Sequence, residues 1–158
     1  MSYWLFKSEP HSYAFADLMA APGRTTGWDG VRNFQARNYL RDKVRVGDGV
    51  LFYHSNADPP AIAGVAEVVR DGHPDPTAFD PKEEHYDPKS DPDQPVWSQV
   101  AIRALRAIDP PLGLPLLRSV PALKGMELLR KGSRLSIQPV TAEEWEAILT
   151  LAGSGARA

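Results

Sequence analysis

Cysteine is absent from all 158 residues. That excludes disulfide staples, thiolate metal sites and a cysteine nucleophile, and it suits a reducing compartment, so a cytoplasmic location is expected. Long apolar runs are absent too: no stretch approaches the ~18 apolar residues a membrane span needs. Residues 1–10 lack a basic region followed by an apolar run, so no signal peptide is expected. Nor is there a large excess of one charge. Eighteen Lys and Arg against twenty Asp and Glu leave a formal net charge of -2, which argues against strong indiscriminate attraction to a polyanion. No internal repeat, P-loop, dinucleotide-binding glycine fingerprint or Gly-x-Ser-x-Gly elbow occurs.

What is present fits one globular unit. The composition is 42% hydrophobic and 24% charged. A chain of this length buries roughly 70% of its unfolded surface. The charges are segregated along the chain. Residues 24–45 carry six basic side chains against Asp29 and Asp42, and residues 71–95 carry eight acidic ones against Lys82 and Lys89. Residues 103–134 are basic again. A basic face opposite an acidic loop, or scattered solvated charge, would each account for this pattern.

Residues 3–7, aromatic and β-compatible, predict a strand stopped by Pro10. A short helix is expected over 15–21, ended by Pro22-Gly23, with a glycine-flanked turn at 27–30. Ala14 stands where a capping Ser or Thr would be usual. Residues 33–43 predict a second helix, with Ala36, Tyr39 and Leu40 on its apolar stripe and Asn33, Arg37 and Arg41 on another face. Residues 50–54 and 61–69 read as a strand hairpin. Residues 70–95, with six prolines and little periodicity, read as a long loop. A strand at 96–108, helical pieces at 114–120 and 126–130, and a strand at 136–139 follow. Thr141, with Glu144 three residues on, forms a capping box for a last helix containing Trp145, Ile148 and Leu149. A single domain over 1–150 and a flexible tail over 151–158 are expected. The fold class is α+β: a mainly antiparallel β-barrel with short helices around it.

Four segments concentrate polar and aromatic side chains where strands meet turns, the place where loops carry function on a rigid scaffold. They are Lys7-Ser8-Glu9-Pro10, Trp28-Asp29-Gly30-Val31-Arg32-Asn33, Tyr53-His54-Ser55-Asn56 and Gly132-Ser133-Arg134-Leu135-Ser136-Ile137-Gln138-Pro139. With Tyr86-Asp87-Pro88-Lys89-Ser90-Asp91-Pro92, this set resembles the EVE-domain family, the thymocyte-nuclear-protein-like branch of the PUA-like superfamily. The likeness runs from about Tyr3 to Leu149. It implies a PUA-like barrel that binds a modified base, methylated or hydroxymethylated, in DNA or RNA, with no cofactor and no catalysis.

A base swung out of its stack presents two π-faces and a polar edge. Trp28 is the first choice for one aromatic wall and Trp97 for the other, with Tyr53 as substitute. Ser8, Asn33, His54, Ser55 and Gln138 are candidates for the edge. Lys7, Arg32, Arg37, Arg41 and Arg134 are candidates for phosphate or rim contacts. Each has a structural alternative. Trp28 and Trp97 could be core residues, as Tyr3, Trp4 and Trp145 are expected to be. His54 could be satisfied by a backbone partner, Arg134 could pair with Asp29 or Glu9, and Arg37 and Arg41 could be a solvated helix face.

The other classes are less well supported. An enzyme acting on a modified nucleoside could use Ser55, His54 and Asp29 or Glu9, but neighbours on a strand point to opposite faces. His85, Asp87, Asp91 and Asp93 share a loop without the spacing or central glycine of an EF-hand, so no metal is expected. A protein-interaction module would instead expose an apolar patch.

Overall fold

Trp4-Leu5-Phe6 and Val50-Leu51-Phe52-Tyr53 lack polar alternation because their strands are covered on both faces. In the computed structural model, which describes residues 1–156 and side chains through Gly153, Tyr3–Ser8 forms β1 and Gly49–His54 forms β3. Trp4, Phe6, Val50 and Phe52 enter one core, while Leu5, Leu51 and Tyr53 enter a second on the opposite face. The first core is closed by α1 (Phe15–Ala20) and α2 (Phe34–Asp42) through Phe15, Leu18, Ala36 and Leu40. The second is closed by α3 (Leu114–Arg118) and α4 (Ala142–Ala156) through Leu117, Trp145, Ile148 and Ala152. Each large apolar side chain so buried contributes about 1.5–3 kcal/mol.

The sheet also contains β2 (Thr25–Gly27), β4 (Ala61–Pro74), β5 (Ser98–Gly113) and β6 (Ile137–Val140), in the order β2-β5-β4-β3-β1-β6. Four pairings are antiparallel, as expected, but β1 and β3 are parallel. The expected closed barrel is corrected as well: the end strands β2 and β6 are not neighbours, and the sheet is open. Three- and four-residue end strands offer little edge to close on. A parallel pair needs a long crossover, here residues 9–48 with α1, β2 and α2. That crossover turns the chain back to one end of β1.

β4 and β5 run further than the sequence pattern predicts, and their ladder is repeatedly bulged. Bulges bend a strand, which lets the pair serve both cores and hides its period from the sequence. The segment between them is built from one device used four times. In Asp75-Pro76-Thr77, Asp80-Pro81-Lys82, Asp87-Pro88-Lys89 and Asp91-Pro92-Asp93, the Asp Oδ1 accepts the amide N–H two residues on, at 2.8–3.0 Å. Proline presets φ and the carboxylate closes the turn, so apart from one 3-10 turn at Pro76–Phe79, capped by Asp75, the segment folds without helix or strand.

Helix ends follow the sequence closely. Thr141 N–H donates to Glu144 Oε1 at 2.9 Å, and Thr141 Oγ1 accepts from Glu144 N–H at 3.1 Å. Ala14 caps α1 with no side chain, and Asp17 compensates by accepting the Ala14 N–H at 2.7 Å. The tail expected from residue 151 is helical through Ala156, with Ala152 buried; residues 157–158 lie outside the described residues. Among the described residues no helix is long and apolar enough to cross a membrane.

Candidate functional site: an aromatic-walled cavity at the end of β1

The last residues of β1, the loop after β2 and the residue after β3 meet around a cavity of about 640 Å³. Small-molecule sites commonly span ~300–1,000 Å³, so a single base fits. Trp28 stands in its wall. Its backbone N–H donates to Val100 O at 2.7 Å, fastening it to β5. Its indole rests on Phe6 and Phe52, both at 5.3 Å and tilted by 46° and 89°. Trp28 is therefore core and wall at once, with 8% of its surface left to solvent. Tyr13, half-buried and packed on Phe52, supplies a second aromatic ring to the same cavity.

Asp75, fully buried, holds this wall in place. It accepts Gly30 N–H at 2.8 Å, Arg32 Nη1 at 2.9 Å, Thr77 Oγ1 at 2.6 Å and Thr77 N–H at 2.8 Å. Burial alone would raise its carboxyl, but the donors from Thr77, Gly30 and Arg32 together hold it below the ordinary range. Arg32 also donates through Nη2 to His85 O at 2.6 Å, so one guanidinium ties residues 28–33 to the Asp-Pro segment. Gly30, at φ +77°, is needed on two counts. Its backbone is left-handed, and a Cβ there would lie 2.5 Å from the His85 ring.

These contacts revise the picture of a basic face opposite an acidic loop. Glu83, Glu84 and His85 of the acidic segment line the same cavity as Lys7, Arg32 and Arg134. Lys7 is half-buried, and burial pushes its ammonium down, partly offset by Glu127. The carboxyl of Asp29 sits at the cavity mouth with no hydrogen bond or ion pair among the described residues. The cavity walls withdraw solvent from it and Asp75 adds negative charge, which together push it above the ordinary range. Arg134 is exposed, with no hydrogen bond or ion pair among the described residues. It lines both this cavity and an adjoining groove of about 360 Å³.

Of the side chains singled out from sequence, the cavity gathers Trp28, Ser8, Ser55, Lys7, Arg32 and Arg134. The Ser8 hydroxyl donates to Tyr13 O at 2.7 Å, which orients that ring's backbone. Asn33 lies on the adjoining groove and caps α2, accepting Ala36 N–H at 3.0 Å. Tyr53 is buried in the opposite core, where burial pushes its phenol up to about 12. His54 Nε2 accepts Phe15 N–H at 3.0 Å, and burial pushes its pKa down. Gln138 is buried and ties down Leu135, donating to its carbonyl at 2.8 Å. Trp97 lies behind Arg32, its Nε1 donating to Asp87 at 2.8 Å. Arg37 donates to Val96 O at 2.6 Å, and Arg41 pairs with Asp42 at 2.8 Å on the exposed helix face.

Ser55 and His54 do not form a nucleophile–base pair, because the histidine acceptor is occupied by a backbone amide. The loop aspartates spend an oxygen on their own turns, and no cluster suited to a metal ion occurs among the described residues. Sequence reading missed Asp75 and Tyr13. The repeated Asp-Pro-x pattern was the available signal for Asp75. Nothing local distinguishes Tyr13, which reaches the cavity only because α1 folds over Phe52.

Comparison with known proteins identifies the family of the chain. The EVE domain family model matches residues 2–151. Human thymocyte nuclear protein 1 is 42% identical over 167 residues, spanning 95% of this chain and 73% of that protein. A Pseudomonas syringae crystal structure superposes with a TM-score of 0.90 at 44% identity, covering 96% of this chain and 99% of the other. Human THYN1 in complex with 5-methylcytosine-containing DNA superposes with a TM-score of 0.90 at 41% identity, covering 96% and 98% of the two chains. The chain belongs to the EVE-domain family.

Proposed function

We propose that this protein is a binding module that takes one modified base, 5-methylcytosine in DNA as the first choice, into the Trp28 cavity without transforming it. The observation that carries the reading is a base-sized cavity with an aromatic wall in a chain 41% identical to human THYN1, whose solved complex holds 5-methylcytosine DNA. In this reading the architecture is an opened-out relative of the PUA-like barrels. Trp28 and Tyr13 give the base its apolar contact, and an added methyl is tolerated because ring faces are apolar. Lys7, Asp29 and Ser55 offer a cation, an acceptor and a hydroxyl to the polar edge. Arg134 at the rim meets a phosphate, which sets position and salt dependence but not base choice. Arg32, already spent on Asp75 and His85, positions Trp28.

The test is titration of matched DNA and RNA oligonucleotides carrying cytosine, 5-methylcytosine or 5-hydroxymethylcytosine at physiological salt. Stacking contributes about 1–3 kcal/mol per base. Trp28→Leu, which keeps apolar volume in the core, is therefore expected to weaken binding of the preferred oligonucleotide roughly 5- to 100-fold. A folded Trp28→Leu protein that binds like wild type would remove Trp28 from the site. Uniform binding of all oligonucleotides that disappears with salt would reduce the surface to a general phosphate contact.

A further inference from the structure

One large ring is exposed where folding does not require it. Phe34 opens α2 and is 59% exposed, yet its ring is not loose. It stacks on Trp97 at 5.0 Å with 25° between planes. Two guanidiniums flank the pair: that of Arg32 lies 5.3 Å from the Trp97 centroid, and that of Arg37 lies 5.1 Å from the Phe34 centroid. Trp97 is fixed by its hydrogen bond to Asp87, and Arg37 by its bonds to Val96 O and Asn38 Oδ1. The group Arg32, Trp97, Phe34 and Arg37 therefore runs from the cavity wall, which Arg32 lines, to the exposed Phe34 ring.

We propose that Phe34 is a stacking platform for the nucleotide next to the base held in the cavity, on the same strand, with Arg37 meeting that nucleotide's phosphate. The inference rests on the reading that the cavity takes a base. Three observations support it. The ring is rigidly backed, so little side-chain freedom is lost when a second π-face lies against it. It is continuous with the cavity through Arg32. Its flank is cationic where a phosphate would run: Arg37 forms no ion pair among the described residues, and its Nη2 makes no hydrogen bond there. By contrast, Arg41 one turn on is neutralised by Asp42. Every base has a π-face, so the platform adds affinity without adding a sequence preference. It would let a pocket that reads one base hold it within any flanking sequence.

The test compares two ligands, a short single-stranded DNA with one central 5-methylcytosine and the free nucleoside 5-methyl-2′-deoxycytidine. Phe34→Ala is expected to weaken the oligonucleotide roughly 5- to 100-fold while leaving the nucleoside unchanged, because the nucleoside has no neighbour to stack. Phe34→Leu still shields Trp97 but lacks a π-face, and is expected to weaken the oligonucleotide too. Phe34→Tyr is expected to retain affinity. Wild-type oligonucleotide affinity in Phe34→Ala or Phe34→Leu overturns the platform and leaves the cavity reading standing. Parallel loss of nucleoside binding in both variants overturns it as well, because the ring would then be supporting the cavity itself. A wild-type protein that binds neither ligand overturns the cavity reading, and the platform with it.

Discussion

Asp75→Ala is expected to destabilise the protein and to loosen the binding site together, because one buried carboxylate performs both tasks. Asp75 is fully buried and its ion-pair partner Arg32 retains 24% side-chain exposure. Removing one partner of a buried pair costs about 3–5 kcal/mol; partial exposure of Arg32 favours the lower end, about 3 kcal/mol. Gly30 N–H and both Thr77 donors lose their acceptor in the same step. For a chain of this length ~1 kcal/mol shifts the melting point by roughly 2–4 °C, so a fall of about 6–12 °C is expected. Asp75→Asn keeps the shape and one acceptor oxygen and is expected to lose about half as much. Urea unfolding monitored by tryptophan fluorescence measures this, with a changed midpoint and an unchanged slope. The carboxyl is held below its ordinary range, so its stabilisation is present above the unfolded value near ~4 and fades as pH falls through the lower folded value. The gap between wild type and Asp75→Asn should therefore narrow only below pH ~4. A change under about 1 kcal/mol in Asp75→Ala would refute the reasoning, since that is the scale of an ordinary surface hydrogen bond.

Thr141→Ala removes the acceptor for Glu144 N–H and is expected to cost about 1 kcal/mol, seen as a melting point roughly 2–4 °C lower. An unchanged melting point would mean that α4 is held by Trp145 and Ile148 alone. His54 must be neutral to accept the Phe15 N–H, and burial lowers its pKa. Below pH ~6.5 the unfolded chain therefore takes up a proton that the folded chain refuses, and stability falls as the pH is lowered. His54→Gln, whose carboxamide oxygen can accept the same bond, is expected to flatten that slope between pH 7 and pH 5. Parallel slopes for the two proteins would exclude His54 as its source.

The sequence alone determined those features whose cause is local. Strand cores at 3–7 and 50–54 follow from their apolar runs, and the two helices between them from their spacing and from Pro22-Gly23. The α4 cap follows from Thr141 and Glu144, three residues apart as the reciprocal hydrogen bonds require. The four motif segments were also legible, because polar and aromatic residues at strand ends stand out against an apolar core. The tertiary structure decided what depends on residues far apart in the chain. The parallel pairing of β1 and β3 is set by a crossover packing α1 and α2 on one face, a choice no strand pattern encodes. The separation of Tyr53 from Trp28 onto opposite faces follows from register, since one residue's shift exchanges the faces. Asp75, which looks like one acid among eight in a proline-rich loop, gains its role only when Gly30 and Arg32, over forty residues earlier, arrive beside it. Burial converts an ordinary solvated charge into a group that must be paired, and burial is a property of the folded chain.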